Sequence, residues 1–303
     1  MYRFKKVFIG LDLSAKDTAL INYAGLISRM AQSEEVIFCH VKQQEPLAGD
    51  LQDAFPELAG KSVDELQLEM QGRVEGLFAG HEKTRVRCEV REGHVAHEML
   101  HCIKDSDIDL SIVGQQADSE LTSKVGEKLT RKAPCSVLIL PEHSRAVISS
   151  ILASIEYSDN CAMAVDTAVA FAEAANLEGF TCAHVFKLPL GYQKTGKTKE
   201  QFQEIMKRNS QKAFDEFIAG IDLRGLQVRP VFYHHKNTIQ GIRELIEQEA
   251  TDLVVLAAQG RTTGASILLG SVTEGVIRQA SIPILAVKKK GANLNILESI
   301  LKL

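Results

Sequence analysis

Short runs of apolar, β-branched-rich residues recur along this chain and alternate with longer stretches whose apolar residues return every three or four positions. Four- to eight-residue runs of this kind read as strands buried on both faces, and the longer stretches as amphipathic helices. The pattern predicts strands at 4–11, 35–41, 85–90, 109–113 and 136–140, with helices at 16–32, 62–80, 94–106 and 122–132. It then starts again. Strands follow at 148–155, 180–186, 227–233, 252–257 and 283–287, and helices at 160–176, 198–219, 238–250 and 269–280. Strands alternating with helices make a parallel sheet with helices on its faces.

The second half repeats the first. The run VFIGLD ends at Asp12 and its counterpart ILASIE at Glu156, 144 positions on. Asp109 in DIDLSIVGQQ and Asp252 in ATDLVVLAAQ are 143 apart, whereas Ser136 in KAPCSVLILP and Pro283 in QASIPILAVK are 147 apart. One duplicated unit accounts for these offsets, with four residues missing from the first copy between its second and third landmarks. Each copy carries five strands and four crossover helices, a small doubly wound α/β domain. The expected domains are 1–145 and 146–303, with the boundary in PEHSRAV at 141–147. The tail NLNILESILKL, 293–303, is either a docking helix or a frayed terminus.

Composition narrows the function classes. Of the 303 residues, 45% are hydrophobic and 24% charged, so both halves can bury cores. A net charge of −4, with Lys and Arg scattered, supplies no basic field for nucleic acid or an anionic membrane. Six cysteines without a C-x-x-C pair read as reduced thiols of a cytoplasmic protein. The N-terminus has no signal-peptide pattern, and no apolar run reaches the 18 or so residues of a membrane span.

Ligands of open parallel sheets bind beyond the carboxyl ends of the strands. In the second copy that edge holds Ser154, Ile155 and Glu156, then Ala257 through Gly264, then Gly270, Ser271, Val272 and Thr273 at the start of the last helix. Small residues at 257, 260 and 270 admit close backbone approach, and a helix N-terminus at Gly270-Ser271 favours an anion.

These segments resemble the universal stress protein family, whose nucleotide-binding members carry G-x2-G-x9-G-S/T before the last helix. Here the stretch is Ala257-x2-Gly260-x9-Gly270-Ser271. The resemblance extends over both copies, through the acidic end of each opening strand, the pairs His40-Val41 and His184-Val185, and APCSVLIL closing copy one. It implies two Rossmann-like, adenine nucleotide alpha hydrolase-like domains and an adenine-nucleotide-binding stress-response protein. ATP, ADP or AMP, with Mg²⁺ as the accompanying cation, would lie in the second copy. Its adenine would lie between Val185 and Leu256, its ribose near Glu156, and its phosphates on Gly260, Gly270, Ser271 and Thr273, with Arg261 and Val272 as further binding residues. The resemblance further implies a homo-oligomer and pairing through the last strands, 136–140 and 283–287. Ala257 replaces a family glycine and Glu156 a family aspartate. The first copy keeps Asp12 but reads Gly114-Gln115-Gln116-Ala117 and Ser123-Lys124 in place of the phosphate loop, so it is expected to bind no nucleotide in that manner.

Two other patterns compete. Gly191 through Thr198 fits G-x-x-x-x-G-K-[ST]. Lys187-Leu188-Pro189-Leu190 separates it from the preceding strand, and no strand is left for a magnesium-binding aspartate. The favoured reading is a basic lid from which Lys194 or Lys197 reaches a phosphate; the alternative is a slow ATPase or phosphotransferase using this loop. His94, His97 and His101 share a predicted helix, but no metal site is assigned to them. Adjacent residues such as His234-His235 point to opposite faces of a strand. No catalytic triad or catalytic carboxylate pair stands out, which leaves a nucleotide-free dimerising protein as the remaining alternative.

Overall fold

The computed structural model describes residues 4–43, 60–115, 120–260, 269–279 and 281–292, with helical backbone only over 120–124. The first unit runs β1 (Lys6–Leu11), α1 (Asp17–Ala31), β2 (Glu35–Lys42), α2 (Val63–Leu77), β3 (Arg85–Glu92), α3 (Val95–Asp105), β4 (Leu110–Gln115), α4 (Glu120–Lys132) and β5 (Ser136–Pro141). The second runs β6 (Ile151–Ser154), α5 (Asp159–Ala174), β7 (Gly179–Phe186), a 3₁₀ turn (Tyr192–Thr195), α6 (Lys199–Ile218), β8 (Gln227–His234), α7 (Thr238–Gln248), β9 (Leu253–Ala257), α8 (Ser271–Arg278) and β10 (Ile284–Val287). Each element expected from the sequence is present, with ends shifted by a few residues.

The shifts have local causes. β6 begins at 151 instead of 148 because the amides of Ser149 and Ser150 donate to Asp252 Oδ2, at 2.8 and 3.0 Å. Its repeat counterpart Asp109 accepts from Lys6 N at 2.8 Å, so this landmark aspartate ties the opening strand to the fourth in both units. α2 ends at Leu77 because Phe78 turns extended and packs edge-on to Phe38, with centroids 5.4 Å apart. The tail at 293–303 lies outside the described residues.

The ten strands among the described residues form one sheet in the order β3-β2-β1-β4-β5-β10-β9-β6-β7-β8. Every pairing is parallel except β5 with β10, where the units meet. At that seam Leu138 faces Leu285, and these are the same position of the two repeats. A pseudo-twofold axis therefore passes between them, as a self-complementary surface requires. Reciprocal ion pairs across the seam obey the same symmetry, Arg278 with Glu127 at 3.2 Å and Arg131 with Glu274 at 3.1 Å.

Each sheet face carries one hydrophobic core that spans both units. One holds Ile9, Leu138, Leu285 and Val255 under α1 and α5, with Phe4 of one unit 6.1 Å from Phe171 of the other. The opposite core holds Ile37, Ile139, Val254 and Ile284. All six cysteines are free thiols, and five of them are buried. Among the described residues no helix is long and apolar enough to cross a membrane.

Candidate functional site

At the carboxyl ends of β6, β7 and β9 lies a cleft of about 540 Å³. Parallel pairing places these ends side by side, Ser154 opposite both Ala183 and Leu256. Beyond them the chain must either turn or begin a helix, so backbone donors collect there. Ser154, Ile155, Glu156, Val185, Leu256, Ala257, Gly260, Gly270, Ser271, Val272 and Thr273 all line the cleft. Arg261 lies outside the described residues.

α8 opens onto this cleft. Gly270 is its N-cap, with extended backbone, and its N–H donates to Ala258 O at 2.8 Å. The amides of Ser271, Val272 and Thr273 are first-turn donors that a helix leaves without internal acceptors. Thr273 is buried, and its hydroxyl donates to Ala257 O at 2.8 Å. Its proton is thus committed to pinning α8 onto the end of β9. The Ala257 side chain belongs with Leu253 and Val255 to the core beneath α5, so this methyl packs with apolar neighbours on that face.

Glu156 follows the end of β6 and reaches across the cleft. A β-carbon added at Gly260 would come within 2.8 Å of Glu156 Oε1, so glycine makes room for this acid. Ser158 Oγ donates to the same carboxylate at 3.3 Å, and Cys161 Sγ accepts from Glu156 N at 3.3 Å. His184 Nδ1 donates to Ile155 O at 3.0 Å, matching His40 Nδ1 on Leu11 O at 3.1 Å in the first unit. The repeated histidine thus latches the end of each opening strand. Glu274 also lines the cleft, but Arg131 and Arg278 hold its carboxylate towards the seam. The described lining contains two carboxylates and neither lysine nor arginine.

Lys194 and Lys197 are exposed, and neither lines the cleft. Left-handed glycines at 191 and 196 turn the chain back towards α6, where Tyr192 packs on Phe202 with centroids 5.4 Å apart. Thr198, the position a phosphate loop gives to magnesium, instead accepts from Gln201 N at 3.2 Å as the cap of α6. The basic stretch is a helix-capping turn, and its lysines are not among the described residues that line the cleft.

His94 is the N-cap of α3, and the rings of His97 and His101 stack edge-on 4.6 Å apart. Among the described residues no group of three or more His, Cys, Asp or Glu is placed to hold a metal ion. His234 and His235 have separate partners, Gln203 and the Asn237 backbone. Sequence reasoning did not single out Cys161 and Thr238 as site residues; they line the cleft, as does Leu269 just before the last helix. Only Thr238 left a readable sign, because Asn237 before it caps α7 by accepting from Ile239 N and Gln240 N.

Sequence and fold together define a class, doubly wound α/β units fused in tandem. The profile of the universal stress protein family matches twice, over residues 3–141 and 148–288, and the chain belongs to that family. It is 27% identical over 115 residues to a universal stress protein of Methanocaldococcus jannaschii, spanning 36% of this chain and 68% of the relative. A second universal stress protein of that organism is 32% identical over 95 residues, 30% of this chain and 52% of that protein. A universal stress protein structure from Archaeoglobus fulgidus superposes with TM-score 0.63 at 16% identity, covering 94% of this chain and 96% of that one. A putative universal stress protein structure from Pseudomonas aeruginosa gives 0.65 at 18% identity, covering 99% and 98%. At such identities the superpositions speak for the fold alone.

Proposed function

We propose that the second unit binds an adenine nucleotide and that the protein acts as a nucleotide-responsive stress-response module, with the first unit taking no nucleotide. One observation carries the reading: the first turn of α8, whose amides have no acceptor within the helix, opens at Gly270 into a cleft lined by the apolar ends of β7 and β9 and by Glu156. Amides at a helix N-terminus attract phosphate. Val185 and Leu256 offer apolar contact to a base, and Glu156 can accept from ribose hydroxyls. With no metal-holding cluster among the described residues, Mg²⁺ would enter on the phosphates and keep most of its waters.

Titration calorimetry with ATP and Mg²⁺ tests this. Gly270→Asp should abolish ATP binding without unfolding the protein. The backbone there is ordinary, at φ −72°, and an added β-carbon would meet nothing closer than 3.5 Å. The new carboxylate would face the incoming phosphates. Unchanged affinity would remove the assignment.

The acid against Gly260 makes a second expectation. Its charge opposes phosphate, so Glu156→Gln should tighten ATP about fivefold while leaving adenosine unchanged or weaker, a gain of about 1 kcal/mol for a partly solvated charge pair. Equal changes for both ligands would show that the charge of Glu156, at the ribose, does not reach the phosphates.

A further inference from the structure

The first unit also has a cleft at the carboxyl ends of its strands, of about 230 Å³, and its chemistry is different. The repeat offsets allow a position-by-position comparison. Where the second unit presents Ser154 and Thr238, the first presents Gly10 and Val95. The walls are Leu20, Val41, Val95, Met99, Val113 and Val125, supplied by α1, β2, α3, β4 and α4. Met99 takes the space beside Gly10: a β-carbon there would come within 2.8 Å of its terminal methyl. A thioether chain with three rotatable bonds is an adaptable wall.

The polar groups of this cleft are arranged against phosphate. Asp12, Asp17 and Glu142 line it, Lys16 is the only lysine or arginine among the described lining residues, and Lys16 is bound to Glu142 at 2.9 Å. Asp17 is 2% exposed and accepts from the amides of Asp12 and Leu13, at 3.2 and 2.8 Å. Burial, reinforced by the neighbouring Asp12 carboxylate, pushes its carboxyl up to about 7. His40 is turned onto Leu11 O.

We infer that the first unit's cleft binds a small uncharged apolar molecule of one or two rings. An apolar cavity of roughly 150 Å³ holds benzene, and this one is larger, with walls that are mostly apolar. Pockets that hold small molecules have this make-up, predominantly apolar walls with a few placed polar groups. The site is separate from the nucleotide cleft and does not depend on it.

The experiment uses the full chain labelled with ¹³C-methyl methionine, in which Met99→Leu assigns the Met99 signal. Titration with 2-naphthalenemethanol should shift that signal saturably, and the matching 2-naphthoate should bind at least tenfold more weakly. Ala19→Phe, from a half-buried position on α1 that lines the cleft, should weaken the alcohol at least tenfold. Val125→Phe repeats the test from α4, and a thermal melt of each variant confirms that it is folded. No shift at Met99 up to the solubility of the alcohol, equal or tighter binding of the carboxylate, or undiminished binding in both folded variants would each overturn the inference.

Discussion

Replacing Leu285 with alanine should lower the unfolding free energy by about 3 kcal/mol, within the range for a buried leucine truncated in a close-packed core, and should do so in a single transition. Leu285 is 0% exposed and faces Leu138, also 0%, at the pseudo-twofold axis. Both side chains belong to the core shared by the two units, so the cavity opens at the join. A β5–β10 strand pair, reciprocal ion pairs and two continuous cores leave neither unit an independent boundary along which to melt first. Leu68→Ala is the control: Leu68 is 69% exposed on α2, and its loss should change stability by less than about 0.5 kcal/mol. Chemical denaturation followed both by calorimetry and by circular dichroism checks the outcome. Two resolved transitions, with Leu285→Ala moving only one, would show that the units fold separately.

Lys288→Met should stabilise the protein at neutral pH and abolish a pH dependence that the wild type shows in the alkaline range. Lys288 follows β10 at the seam and is 8% exposed. Its Nζ donates to Ala133 O at 2.9 Å, and its N–H donates to Ser136 Oγ at 3.1 Å. Burial disfavours the ammonium and lowers its pKa to about 8 from 10.5. Below pH 8 both folded and unfolded lysine are charged, and the folded state carries the whole burial penalty. Between about 8 and 10.5 the folded chain releases the proton while the unfolded chain still holds it, so wild-type stability rises with pH across that window. A shift of this size corresponds to about 3 kcal/mol. Methionine removes that penalty but leaves Ala133 O without its donor, at about 1 kcal/mol, so the net gain near pH 7 is about 2 kcal/mol. Melting curves from pH 6 to 10.5 read both effects. A variant that is less stable than the wild type at pH 7, or that keeps the alkaline rise, would mean that the buried ammonium is well compensated.

The strand and helix order was legible because each buried parallel strand is a continuous apolar run and each helix shows one apolar stripe. Duplication made it doubly so, since Asp109 and Asp252 mark the same junction twice and do the same work in each unit. Glycines 260 and 270 were legible for the same chemical reason that they line the cleft: backbone amides approach a ligand closely only where no side chain intervenes. The GYQKTGKT stretch was ambiguous in the sequence because capping a helix and cradling a phosphate draw on the same residues. Glycines that turn the chain and a threonine that accepts from an amide serve either purpose, and only the position of the turn over α6 separates them.

What the sequence by itself determined is therefore local and periodic: the elements, their repetition, the caps and the small residues at the strand ends. Tertiary structure decided what depends on which side chains converge. Pairing of β5 with β10 set Leu138 against Leu285 and buried Lys288, because register across a seam depends on partners about 147 positions away. Packing sent the Ala257 methyl into the core and committed the Thr273 hydroxyl to a carbonyl. The unequal character of the two clefts arises in the same way: valine and glycine at 95 and 10 are unremarkable in a helix and a strand, and they make an apolar pocket only when the sheet brings them together.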